Sequence, residues 1–288
     1  MKLSKIMVDG SVEPALWRGK ELISLRNVAP RLSMNDLLAA PATLRNELEQ
    51  RLSQASAQDL LDPARITFLP PLSAGSKILC AGLNYQSHAH EVAAPASEFP
   101  NFFIRFDDTI VGHQQALRIP ALSAQLDYEG ELAVIISKSC FGRMSDAQAL
   151  DCVAGYTIFN DASVRDFQFR ASQWTLGKNF SATGGCGPVL VSADELPPGA
   201  AGLSLRTEIN GEIMQAGNTA DLIFNVAALI RALAGVMPLR CGDLIITGTP
   251  AGVGFTRNPP RFLRAGEQCQ ITIEGIGTLI NPVLLQDS

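Results

Sequence analysis

The chain has 288 residues, enough for one large domain or for a large domain with a small one. Its 28 acidic residues outnumber its 23 basic ones, which argues against a general nucleic-acid binder, since that needs a basic footprint. The opening MKLSKIMVDG has no apolar core like that of a signal peptide. No window reaches the uninterrupted apolar length of a membrane span, so a soluble, cytoplasmic protein is the expectation. The six cysteines form no CxxC pair, which excludes zinc-ribbon and thioredoxin readings. They read as buried thiols, with Cys186 as the one to check for a nucleophile's role.

Residues 1–72 read as a small N-terminal domain of mixed α/β character, ahead of a larger domain over 73–288. Short strand candidates begin at Leu3, Ala15 and Leu22 and are broken by Gly and Pro. Ser33 caps a short helix, and Pro41 opens a longer one that runs to about Ser53. Pro70, Pro71 and Gly75 mark the boundary. Lys77 to Ala81 is then a strand, followed by GLNYQSHAHEV, with His88, His90 and Glu91. On a helical turn His88 and Glu91 face the same way, and a carboxylate beside an imidazole raises its basicity. The Pro-rich stretch after it reads as part of a mobile loop, residues 84–100, that orders over a ligand.

Arg105 lies inside an apolar strand candidate, where an arginine seeks a buried anion. His113 sits in a polar loop. The most informative stretch is LDYEGELAVIISK, Leu126 to Lys138. Glu129 and Glu131 stand at i and i+2 before an apolar run, on one face of a strand. Two like charges beside a hydrophobic run are costly unless a cation lies between them, and a hard divalent cation is the natural one. Gly130 between them lets another group approach the backbone. Asp161 follows at the end of the next strand candidate, VAGYTIFND, as a third oxygen ligand. Arg165 and Gln168 follow on one face of a turn, and Lys178 lies in a polar, Gly-rich segment where it can pair with Asp161.

The rest reads as strand-rich: Leu203 to Ile209, a hairpin turn at Asn210-Gly211, a return strand, and a final pair from Gln268 and Thr278. Thr219 to Ala234 carries apolar residues at helical spacing and reads as one helix. Asp243 to Thr247 is a buried strand entering TGTPAGVG. That loop lacks the lysine of a P-loop, but its N–H groups and Thr249 can hold a carboxylate.

Taken in order, LNYxxHxxE, DYEGELAVII, GYTIFNDASVRDFQ, LGKNF and TGTPAGVG resemble the fumarylacetoacetate hydrolase family, over roughly residues 77 to 283. The resemblance implies a mixed α+β, mostly β catalytic fold behind a small N-terminal domain, and a homodimer. It implies that Glu129, Glu131 and Asp161 ligate Mg²⁺ or Mn²⁺, with Ca²⁺ as a further candidate. Lys178 is then the active-site lysine, and His88 with Glu91 the dyad on a lid. Arg165, Gln168 and Thr249 match positions that line the substrate site, and Arg105 joins them as a cation. Many smaller members carry lysine and proline where this chain has Arg105-Phe106.

The expected substrate is a 2-oxo acid. The expected reaction is metal-dependent hydrolysis of a C–C bond in a β-diketo acid such as an acylpyruvate or fumarylpyruvate. His88 would take a proton from the attacking water. Isomerisation or decarboxylation of a related diacid uses the same chemistry and is the alternative. Two other classes are an iron oxygenase built on His88, His90 or His113 with a carboxylate, and a silent ligand-binding relative.

Overall fold

A computed structural model describes residues 1–73, 75–95 and 97–286. Two β-sheets carry the fold. The larger runs, along its main path, through Leu60–Leu61, Glu21–Ser24, Ser11–Arg18, Lys2–Val8, Leu190–Ser192, Val153–Asp161, Gly130–Ile136, Leu244–Ile246, Ile78–Gly82 and Asn101–Arg105. The smaller one runs through Glu212–Asn218, Ser204–Ile209, Gln268–Ile273, Gly277–Leu285 and Leu117–Ile119. This is a mixed, mostly β fold, as the resemblance implies.

Gly130–Ile136 is central in the larger sheet, and every residue of it is buried. It pairs antiparallel with Val153–Asp161 on one side and with Leu244–Ile246 on the other. A strand covered on both faces needs a continuous apolar run, which LAVII supplies. Leu132, Val134 and Ile136 face a core shared with Leu205, Ile271 and Leu279 of the smaller sheet and with Leu229, Ile230 and Leu233 of the Val226–Ala234 helix. Ala133 and Ile135 face a second core with Leu3, Leu16, Ile23 and Leu48 of the N-terminal region.

The N-terminal strands are an extension of the larger sheet, because Lys2–Val8 pairs with Leu190–Ser192. The division at residue 72 stays a proposal; the shared sheet and core are what would join its two parts. The capping box at Ser33 and the Asn210-Gly211 hairpin form where the sequence puts them. The helix expected over 219–234 is shorter. Residues 219–221 form a 3₁₀ turn and the α-helix starts at Val226, capped by Asn225. Asn84 is the reason: its Oδ1 accepts from Phe224 N at 2.8 Å and its backbone oxygen from Ile223 N at 2.8 Å. The chain entering the helix is thereby tied to the strand that leads into the His88 segment.

Among the described residues no helix is long and apolar enough to cross a membrane. All six cysteines are free. Five are buried, and Cys241 is half-buried. Cys186 is wholly buried, and that burial pushes its thiol well up, which leaves it no nucleophilic character.

Candidate metal centre and substrate cavity

The acidic residues meet at the ends of two paired strands. Glu131 lies in Gly130–Ile136 and Glu129 just before it, while Asp161 closes Val153–Asp161. The backbone locks the corner, since Asp161 N donates to Glu129 O at 2.9 Å. One carboxylate oxygen from each of Glu129, Glu131 and Asp161 lies within 4.8 Å of the others, and all three side chains are buried.

Gly130 lets another group approach, as expected, and that group is Thr207 of the smaller sheet. A Cβ there would lie 2.2 Å from Oγ1 of Thr207, so the glycine admits the smaller sheet rather than a ligand.

Three cations surround this acid cluster. Nζ of Lys178 contacts Oε2 of Glu129 at 2.7 Å, Oδ2 of Asp161 at 2.6 Å and the Asp161 carbonyl at 3.3 Å. Its three protons are therefore committed, and it acts by charge. Arg165 contacts Oε1 of Glu129 at 2.7 Å, Oδ2 of Asp127 at 2.8 Å and Oε1 of Gln168 at 2.8 Å. Arg105 lies behind the cluster. Its Nη1 donates to Oδ1 of Asp161 at 2.8 Å and to the Ala162 carbonyl, and its Nη2 to Thr183.

Among the described residues no cationic side chain pairs with Glu131; the Gly248 N–H donates to it instead. Burial, and then the charges of Asp161 and Glu129, raise its carboxyl well above the usual range. For Glu129 burial pushes upward too, but the charges of Lys178 and Arg165 outweigh it and hold its pKa at about 2. Burial would discharge Lys178, and the charges of Asp161 and Glu129 outweigh it, so the ammonium is retained. Glu131 is thus the one carboxyl of the three that no side-chain cation keeps ionised, and its charge waits on a further positive group. Three convergent buried carboxylates, one of them without a side-chain cation as partner, fit a hard divalent cation.

The TGTPAGVG loop holds carboxylates, and they are the protein's own. Gly248 N serves Glu131, Gly252 N serves Glu91, and the N–H groups of Gly254 and Phe255 serve Asp127. Thr249 lines the cavity and donates to the Gly130 carbonyl at 2.9 Å. Gln215 joins the two segments, accepting from Gly130 N and donating to Thr249 Oγ1.

Opposite the carboxylates stands the Gln86–Glu91 helix. His88 points into the cavity, with Nδ1 2.9 Å from Oε2 of Glu91. Glu91 is anchored by Gly252 N and Thr256 Oγ1, each at 2.9 Å. The i, i+3 pair is therefore a formed dyad, and Nε2 is the nitrogen left to exchange a proton. Within the expected lid, Ala96 lies outside the described residues.

The histidines do not converge as an iron site requires. His90 is exposed, and His113 accepts from Ile280 N at 3.1 Å on another face of the fold.

The cavity between these groups measures about 330 Å³. Its wall includes the triad, Lys178, Arg165, Gln168, Thr249 and His88, and an apolar part with Phe103, Phe169, Trp174 and Phe255. Arg105 is not in the wall. Sequence reasoning did not single out Asp127, Gln215 or these aromatics. Asp127 had a visible signal, because it continues the alternation of Glu129 and Glu131 two residues earlier.

Known proteins have similar chains. Oxaloacetate tautomerase YisK of Bacillus subtilis is 43% identical over 217 residues, 74% of this chain and 71% of its own. The fumarylacetoacetate hydrolase of Exiguobacterium antarcticum superposes with a TM-score of 0.83 at 30% identity, covering 99% of this chain and 100% of its own. A 5-carboxymethyl-2-hydroxymuconate delta-isomerase from Mycobacterium smegmatis gives 0.79 at 30% identity, with the same coverage. The family model for the fumarylacetoacetate (FAA) hydrolase C-terminal domain matches residues 77–284. With its acid triad, lysine and His–Glu pair carried on that matched segment, the chain belongs to the fumarylacetoacetate hydrolase family.

Proposed function

We propose that this chain is a divalent-metal-dependent enzyme that acts on 2-oxo acids through their enol form. The observation that carries this reading is Nη2 of Arg165, a buried guanidinium nitrogen without a hydrogen-bond partner among the described residues, on a residue of the cavity wall. A substrate carboxylate is the group that such a nitrogen takes. Glu129, Glu131 and Asp161 would hold Mg²⁺, Mn²⁺ or Ca²⁺, and the ion would supply Lewis acidity at the substrate's keto oxygen. Arg165 holds the carboxylate, and Gln168 fixes the guanidinium. Lys178 places a fixed positive charge beside the oxygen that becomes negative. Arg105 orients Asp161 from behind rather than touching substrate.

His88 moves the proton. In keto–enol tautomerisation Nε2 takes the proton from the carbon beside the keto group. The C–H electron pair becomes the C=C bond, the keto oxygen gains a proton from solvent, and Nε2 returns its own to solvent. This is the first activity to test, and the 43% identity to an oxaloacetate tautomerase supports it. In hydrolysis of a β-diketo acid, Nε2 instead takes a proton from water. The hydroxide adds to the distal carbonyl, the C–C electron pair goes to the 2-oxo acid fragment as that bond breaks, and the proton on Nε2 passes to it, leaving its enol and a carboxylic acid. The cavity favours this second reading, because its volume and apolar wall exceed what a four-carbon diacid fills. Closure of residues 84–100 over the ligand, assembly as a homodimer and a cytoplasmic location belong to the same proposal.

The test is an assay of oxaloacetate, an acylpyruvate and fumarylpyruvate with Mn²⁺ and after chelation, in wild type and His88→Ala. Turnover that needs the metal and falls by about 10²–10⁴-fold in His88→Ala is expected. No turnover of any of the three would overturn the reading. Wild-type rates in His88→Ala would remove the dyad from it.

A further inference from the structure

The cavity has two unlike ends. The triad, Lys178 and Arg165 gather charge at one of them. Leu83, Val92, Phe103, Phe169 and Trp174 line the remainder, with no charged group there among the described residues.

The aromatic part begins beside the chemistry. Nζ of Lys178 lies 4.9 Å from the centre of the Phe103 ring. Trp174 stands edge-on to Phe103, with ring centres 5.5 Å apart and planes at 68°. Gly82 makes room for that indole, since a Cβ there would lie 2.3 Å from the Trp174 ring. A molecule whose reacting end sits at Lys178 can run its other end along Phe103 and Trp174, the aromatic rings next to that lysine.

The cations of the site are already committed. Lys178 is spent on Glu129 and Asp161, and Arg165 offers one unpartnered nitrogen. Arg105 is outside the wall, and any charge on His88 is met by Glu91. The charged end, with Arg165 and the ion that the triad would hold, satisfies the carboxylate of the reacting end. A second, on a tail that runs along Phe103 and Trp174, would lie against aromatic rings where the neighbouring Lys178 is already spent on Glu129 and Asp161, and a desolvated, unpaired carboxylate is strongly disfavoured.

We infer that Phe103 and Trp174 are a recognition wall for a flat, apolar substituent, so that the site selects 2-oxo acids with one carboxylate and an aromatic tail over dicarboxylates. This rests on the reading that Arg165 takes the carboxylate of a 2-oxo acid.

Three unreactive mimics test it by calorimetry on the Mn²⁺-loaded protein. Oxalate represents the reacting end alone, N-phenyloxamate adds a phenyl tail, and N-oxalylglycine adds a second carboxylate. N-phenyloxamate should bind about tenfold or more tightly than N-oxalylglycine, given what an aromatic contact contributes. Trp174→Ala should erase that ratio and leave oxalate affinity unchanged, while Trp174→Phe should retain most of it. Equal or tighter binding of N-oxalylglycine to wild type would overturn the inference, as would an intact ratio in Trp174→Ala. If Trp174→Ala cannot bind oxalate, Phe103→Leu takes its place with the same expected loss. Failure of wild type to bind oxalate at all would instead overturn the 2-oxo acid reading beneath the inference, and the inference with it.

Discussion

Nζ of Lys178 lies 2.6 Å from Oδ2 of Asp161, in a place where the lysine is 2% and the aspartate 1% exposed. Neither charge is tolerable there alone, so the pair is one unit with Glu129. Lys178→Met keeps the length of the side chain and removes its charge. Breaking a buried ion pair by removing one partner costs about 3–5 kcal/mol. The variant should melt well below wild type, regain more stability than wild type on adding Mn²⁺, and lose activity by about 10²–10³-fold. Thermal melts with and without the ion check this. A melting temperature equal to that of wild type would mean the ammonium is not the counter-charge of the cluster.

Arg165→Lys keeps a cation and loses the guanidinium fork. The fork reaches Asp127, Glu129 and Gln168 together, which a single ammonium cannot do. It also carries the free nitrogen assigned to the substrate carboxylate. The variant should raise KM and lower kcat/KM by about 10–100-fold, the range for a lost hydrogen bond to a charged group. Steady-state kinetics on whichever 2-oxo acid proves active decides it. An unchanged KM would place the carboxylate elsewhere.

The site was legible in the sequence where its chemistry is local. Glu129 and Glu131 are spaced by the pleat, and His88 and Glu91 by a helical turn, so their pairing follows from spacing alone. Asp127 was not singled out because its partners are distant: Arg165 lies 38 residues on, and Gly254 lies 127 residues on. The roles of Gln215 and Asn84 depend on strands brought together only by the fold. The same limit hid the join between Lys2–Val8 and Leu190–Ser192, a pairing that no local pattern encodes. The Thr219–Ala234 helix was overdrawn because the spacing of apolar residues does not register a side chain such as Asn84 binding the chain from outside.

His113 gives a pH effect away from the site. It is half-buried against Phe68, and burial pushes its pKa down from 6.5 to about 4. The unfolded chain takes up a proton near 6.5, whereas the folded one stays neutral to about 4. Between those values the unfolded state binds more protons, so stability falls as pH drops through that window. His113→Asn cannot be protonated and keeps an oxygen for Ile280 N. Its urea midpoint should fall less steeply than that of wild type from pH 6.5 to about 4. Parallel profiles would show that the imidazole does not contribute.

The central claim is that Glu129, Glu131 and Asp161 form one divalent cation site, and Glu131 is its most direct probe. Glu131→Gln keeps the shape and an oxygen for Gly248 N, and removes the carboxylate that no side-chain cation offsets. The metal-free variant should be at least as stable as wild type. The measurement is a calorimetric titration of Mn²⁺ into both proteins. The account predicts a loss of affinity greater than about 100-fold, beyond what an outer-shell partner contributes. Wild-type affinity in Glu131→Gln would contradict it.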